Sequence, residues 1–436
     1  MTRNHSAFTF SARLGLVLTL GAAPWCASHA DPLLTGKAFD LVVGVNSGYT
    51  VSGNDVTVTG GTVSNPFGAT TLEDLKNQLT TAGLSNINSQ YNANSAAVIR
   101  AGYLGFPIVI STITNSTQVD LNIPGLNISK SFNAQSTRDG NKSDLFDYLK
   151  ANGSDILSGI QQKLTQYSPI SPVAGNPSSL QSRMVADDFD RGFTQFASNI
   201  KSTDEQGSSS NNLVGVGLSL QSTDTGHVKT DTVALPLSYT IRSDLDPRKQ
   251  WTFYMPISQS DSAGAKAYGV NLGVSYRTPI TDEWSLMPAI GYGVTGSVDL
   301  GSAAAMMAAS LTSQYTLKLD GYDLAIGNMV GYLQSSQLSV GDYSVDPKVT
   351  NTVFRNGVLF SMPTSLFGPK QALEFSYIIT NYTGSTLYSN QYQEIGITLG
   401  TNKGANTART YFRAGLSYLT GDNGITASRM NFGYWF

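Results

Sequence analysis

The chain has 436 residues, and charged ones make up only 13% of it, against ~25% in an ordinary soluble chain. Tyr (21), Phe (18) and Gly (43) are plentiful, and the formal net charge of −3 becomes −5 once Arg3 and Arg13 of the leader described next are removed. This balance argues against a nucleic-acid partner, and the length allows more than one domain.

Arg3 and Arg13 precede an apolar run, Leu14 to Ala23, and Ser28-His29-Ala30 puts small residues at a cleavage site. Residues 1–30 are therefore expected to be a secretory signal peptide, too short to span a bilayer as a mature helix. The one cysteine, Cys26, lies inside it after Trp25, which argues against a lipid anchor. From Asp31 onward the chain has no thiol chemistry, and no further stretch is continuously apolar for the ~20 residues of a membrane helix.

Residues 31–180 read as a small separate α+β domain. Leu41-Val42-Val43-Gly44-Val45 and Asp55-Val56-Thr57-Val58-Thr59 look like strands, the second running into a Gly60-Gly61 turn. Thr71 can cap a helix over Leu72 to Ala82, with Glu73 and Asp74 near its positive end. Phe106 to Ile113 reads as a strand buried on both faces, and Thr117 to Ile123 alternates. Ser143 can cap a second helix from Asp144 to about Leu164. Pro169, Pro172 and Pro177, amid Ser, Gly and Asn, mark a linker. No β-solenoid period is present.

In residues 181–212, Val185, Phe189, Phe193, Phe196 and Ile200 fall on one face of a helix expected over Ser182 to Lys201. Asp187, Asp188, Asp190 and Arg191 lie mostly off that face, and a polar tether, Ser202 to Asn212, follows. Residues 213–436 then give twelve segments of ~10 residues with period-two alternation, enough to cross a bilayer at a tilt. Outward faces read Val233/Leu235/Leu237/Tyr239/Ile241 and Trp251/Phe253/Met255/Ile257, while the opposite faces run to Gly, Ser, Thr and Asn. An even count puts both barrel ends of the chain on the periplasmic side. Asp320-Gly321 is then a tight periplasmic turn, and the longest loop, Gln334 to Val349, lies outside. Trp251, Tyr276, Trp284, Tyr322 and Phe436 form a periplasmic aromatic girdle. Pro236, Pro256 and Pro288 object, since each removes a ladder hydrogen bond inside a strand. Fourteen strands, recruiting Phe106–Ile113 and Thr117–Ile123, is the alternative count.

By parity Arg355, Glu374, Glu394, Arg413 and Arg429 face the lumen, the last three of these near mid-height. They could brace the wall, form an ion-selecting constriction, or dock the acidic helix by meeting it with Arg413 and Arg429. In the last strand Met430, Phe432, Tyr434 and Phe436 share one aromatic face. A terminal Phe with such residues two, four and six places before it resembles the signal by which outer-membrane barrels are recognised for assembly. A helix just before the first strand of a C-terminal barrel is similar to autotransporter translocators, on placement rather than residue identity. The resemblance implies a mainly β protein in a bacterial outer membrane, translocating or anchoring a short N-terminal domain. Its expected partners are membrane lipid and the barrel assembly machinery. A gated channel or exporter with a periplasmic domain, and a surface adhesin, are the other readings.

No catalytic, cofactor or metal site is expected. His227, near Asp224 and Asp231, is the one histidine after residue 30, and neither the outer-membrane phospholipase nor the outer-membrane protease pattern is recognisable. Asn211-Asn212 is similar to the pair that some serine protease autotransporters cut in the lumen, but here it abuts a strand. No metal-ligand spacing or glycine-rich phosphate loop is present.

Overall fold

The computed structural model describes residues 34–435 apart from 54, 194–211, 227, 247, 341–342, 367–370 and 401–410. The expected signal peptide, Phe196, Ile200, Asn211, His227 and Phe436 therefore lie outside the described residues.

Among those residues a closed antiparallel barrel of twelve strands follows a small α+β region. The strands are, in order, Leu213–Asp224, 229–242, 250–262, Ala265–Pro279, Trp284–Ser297 and Ser302–Leu319. Then come Tyr322–Ser336, Thr350–Thr364, Gln371–Gly384, Gln391–Gly400, Tyr411–Gly421 and Thr426–Trp435. Strand one pairs with strand twelve, Gly217 opposite Gly433, which closes the wall and leaves no edge. Period-two alternation sets the two faces. Val233, Tyr239, Trp251 and Phe253 point outward and are 43–49% exposed, whereas Thr230, Thr232, Thr240 and Thr252 are buried inside. Luminal hydroxyls zip neighbouring strands, Thr232 to Ser260 at 2.9 Å and Thr240 to Thr252 at 3.0 Å. The girdle aromatics Trp251 and Tyr276 stack at 4.6 Å, and Gly321 turns with φ +80° at the expected hairpin.

Two prolines explain the interruptions in strands two and three. Leu235 pairs with Ile257 and Ser238 with Tyr254, so Pro236 lies directly opposite Pro256. Each keeps its carbonyl bonded, to Gly217 N at 2.8 Å and Asn271 N at 3.0 Å, but neither can donate. The register runs through both gaps unshifted. Pro288 stays inside a continuous strand, paired with Leu311 on one side. On the other side the ladder to strand four lapses between Ser275–Ala289 and Thr278–Leu286.

Phe106–Thr112 and Val119–Ile123 belong to the N-terminal sheet, which corrects the fourteen-strand alternative. That sheet is antiparallel, with Phe39–Val45 central and Ala97–Tyr103 beside it. Buried Leu41, Val43, Ile99 and Leu121 on it pack against helices. The first expected helix is two, α1 (Leu72–Gln78), closed by a Thr71–Asp74 capping box, and α2 (Thr81–Ile87). The second starts earlier than Ser143 and also divides, into α3 (Arg138–Ala151) and α4 (Gly153–Tyr167), because Asn152 leaves helical geometry. Asp40 is buried against Arg100, and burial raises its carboxyl above the usual range while the guanidinium opposes this.

The domain is not separate. Its hydrophobic core takes in Val228 and Leu300 from barrel turns and Ala265 from the start of strand four, beside a third turn, and the Tyr103 hydroxyl donates to Leu300 O at 2.7 Å. These turns lie at the end opposite the start of strand one and the finish of strand twelve. On the sequence expectation that both barrel ends of the chain are periplasmic, that end is called the outer mouth.

Candidate functional site: the barrel lumen

The segment read as a linker is buried except at half-buried Pro172. From Ser168 to Ser179 it crosses the outer mouth, and Val173 and Ala174 enter the barrel's apolar cluster beside Val349, Leu387 and Tyr392. Thr165 O accepts from Tyr388 N at 2.8 Å and Gly175 O from Ser389 N at 3.1 Å. Asn176 folds the segment on itself by donating to Ser171 O at 2.7 Å, and Ser178 joins strand one through Thr223 at 2.9 Å. The three prolines favour a rigid crossbar here, since each fixes φ and none needs a donor.

Below the crossbar, α5 (Leu180–Phe193) runs down the lumen and packs on strands four to seven. Its stripe of Leu180, Met184, Val185, Phe189 and Phe193 is at most 3% exposed, and burying each such side chain contributes ~1.5–3 kcal/mol. The wall answers with alanine, methionine and glycine: Ala304, Met306, Ala308, Ala325 and Met329 receive the stripe. Close approach requires glycine at two places. A Cβ on Gly293 would fall 2.7 Å from the Met184 sulfur, and one on Gly327 would enter the Phe193 ring. Phe189 and Phe193 stack at 4.9 Å.

The polar side of α5 is held more tightly than the sequence suggested. Asp188, 2% exposed, accepts from the Tyr254 hydroxyl at 2.9 Å and from Ser310 at 2.9 Å. It also pairs with Arg191 one turn on, whose guanidinium lies 3.3 Å from the centre of the Tyr254 ring. Strands three and six thus grip one carboxylate. Neither Tyr254 nor Ser310 was singled out from sequence. An available signal was Tyr254 itself, a large aromatic on the inward parity of a strand whose inner face is otherwise small.

The five luminal charges all face inward, as parity requires, but they pair mainly within the wall. Arg355 meets Glu394 at 2.9 Å and Thr380 at 2.6 Å. Glu394 also accepts from Ser417 at 2.7 Å and lies 3.7 Å from Arg429. Arg429 donates to Gln221 at 3.0 Å, and Gln221 donates to Ser178 at 3.1 Å, so this network reaches the crossbar. Arg413 pairs with Glu374. It sits opposite Gly400, the last residue of strand ten, and so near the inner end, not at mid-height. The expected docking of the acidic helix side on Arg413 and Arg429 is corrected in part. Both arginines take wall carboxylates, which parity already holds on nearby strands. Asp187 and Asp190 line with them a cavity of about 170 Å³. Asp190 lies in the fields of Arg355, Glu394 and Arg429.

No protein-family model and no curated protein matches the chain. Among solved structures it is similar to the translocator domain of autotransporter NalP from Neisseria meningitidis, at 14% identity over 59% of this chain and 96% of that one, with a TM-score of 0.40. The beta domain of the Bordetella autotransporter BrkA gives 15% identity over 52% of this chain and 98% of that one, with a TM-score of 0.39. An outer membrane channel from Pseudomonas putida F1 gives 14% identity, 54% and 98% coverage, and a TM-score of 0.36. The chain resembles these outer-membrane β-barrels in fold. In the described part of the last strand, Met430, Phe432 and Tyr434 all point outward, 39–46% exposed. Asn212, at the head of strand one, donates to the Tyr239 hydroxyl at 2.9 Å.

Proposed function

We propose that the chain is an outer-membrane barrel of autotransporter-translocator type that displays its own N-terminal domain at the outer mouth and does not release it. One observation carries this: α5 threads the lumen, with the domain packed at the mouth opposite the one where strand one begins. A segment that had been passed outward through the barrel would leave the chain on this path. Retention is supported by the core shared through Val228, Ala265 and Leu300 and by the Asp188 clamp. The role is anchoring, without catalysis, since the buried luminal charges are committed to ion pairs and hydrogen bonds. Lipid contacts the outward apolar face, and the assembly machinery reads Met430, Phe432, Tyr434 and Phe436.

Protease shaving of intact cells, followed with an antibody to residues 31–180, tests the reading. The antibody signal should be lost from intact cells while the barrel stays protected. Loss only after the outer membrane is permeabilised would favour a channel or exporter with a periplasmic domain. Appearance of the intact domain in the medium would show release.

A further inference from the structure

The stripe of α5 is committed to strands four to seven, so the helix fills one side of the lumen and leaves a slot on the other. That slot holds about 170 Å³, room for on the order of ten waters at ~10–15 Å³ each. Its lining is mixed, with charged groups set among apolar ones such as Met184, Pro236 and Pro256. Arg183, Asp187, Asp190 and Arg191 come from the helix, and Arg413 and Arg429 from the facing wall. Asn271, 5% exposed, lines it with both amide atoms lacking a protein partner. Buried amide groups left in this way are met by water. Above Arg183 the situation reverses. Between the crossbar residues Ile170, Pro172, Asn176 and Ser178 and the wall lies a void of only about 10 Å³, at or below the ~10–15 Å³ needed for one water.

We propose that this slot is a path for small hydrated inorganic ions and that the crossbar Ser168–Ser179, not α5, closes it. The inference rests on the reading that the barrel crosses the outer membrane. Ionised groups of both signs border the slot, Asp187, Asp190, Arg183 and Arg191 from the helix and Arg413 and Arg429 from the wall, and charged groups at a narrow opening favour hydrated ions over uncharged solutes.

Single-channel recording of the full chain in planar bilayers with potassium chloride tests this. The unaltered protein should be closed or nearly so. Gly175 has φ +95°, and a side chain there would meet Thr165 O and Tyr388 N, so Gly175→Val should lift the crossbar and raise conductance several-fold. Replacing residues 170–177 by an equal length of Gly and Ser should do the same without added bulk, and it reports even if Gly175→Val fails to insert. Loosening the helix by Phe189→Ala with Phe193→Ala, the crossbar intact, should raise conductance less than either. In the opened background, Asp187→Asn with Asp190→Asn should move the reversal potential toward that of chloride. The proposal is overturned if the unaltered protein already conducts as well as the crossbar variants. It also fails if loosening the helix opens the pore while the crossbar variants stay closed, or if the reversal potential does not move. Conductance is read on an inserted barrel whichever side its domain faces, so these failures are distinct from a failed shaving result.

Discussion

Asp188 shows how far a single luminal residue reaches. Its carboxylate satisfies a tyrosine, a serine and an arginine drawn from α5 and strands three and six, all within a site almost closed to water. Removing one partner of a buried ion pair costs about 3–5 kcal/mol, because the remaining charge is left uncompensated. Asp188→Ala is therefore expected to lower the temperature at which the barrel loses its folded gel mobility, and Asp188→Asn to lower it less. Equal midpoints for Ala, Asn and the native residue would mean that the clamp contributes nothing. The inward parity of Arg355, Glu394 and Arg429 was legible because period two leaves no choice of side. The partners of Asp188 were not, since Tyr254 lies 66 positions away and Ser310 122, and nothing local encodes such a meeting.

At the scale of elements, strands were easier to read than helices. A lipid-facing strand must be apolar on alternate residues for its whole length, whereas a short soluble helix can end wherever a cap or a bend suffices. Hence all twelve strands were foreseen, while two domain helices proved to be four. The facing prolines of strands two and three are the clearest departure from an ideal ladder. Gly217 and Asn271 each lose a ladder donor at this height, and each restored bond would add about 0.5–1.5 kcal/mol. Exchanging Pro236 and Pro256 together for Val is expected to raise the barrel's unfolding midpoint. A lower midpoint would mean that the prolines' fit to the slot outweighs the two bonds.

For the whole molecule, the core shared by the N-terminal domain and the barrel was not legible, because Val228 and Leu300 sit in turns and Ala265 opens a strand, where an apolar residue carries no periodic signal. Leu300→Asp should loosen that joint, and limited proteolysis should then cut between residues 168 and 179, whose burial should make the native protein resist. Equal resistance would show that the domain seats without it. The shared core also fixes an order in time. Residues 34–167 leave the ribosome first, yet Leu300 is 197 positions downstream of Tyr103, its partner. The domain cannot close over its last apolar gap until the barrel residues that fill it are in place. The part made earliest is thus the part finished latest, and in the interval it carries an unfilled apolar face.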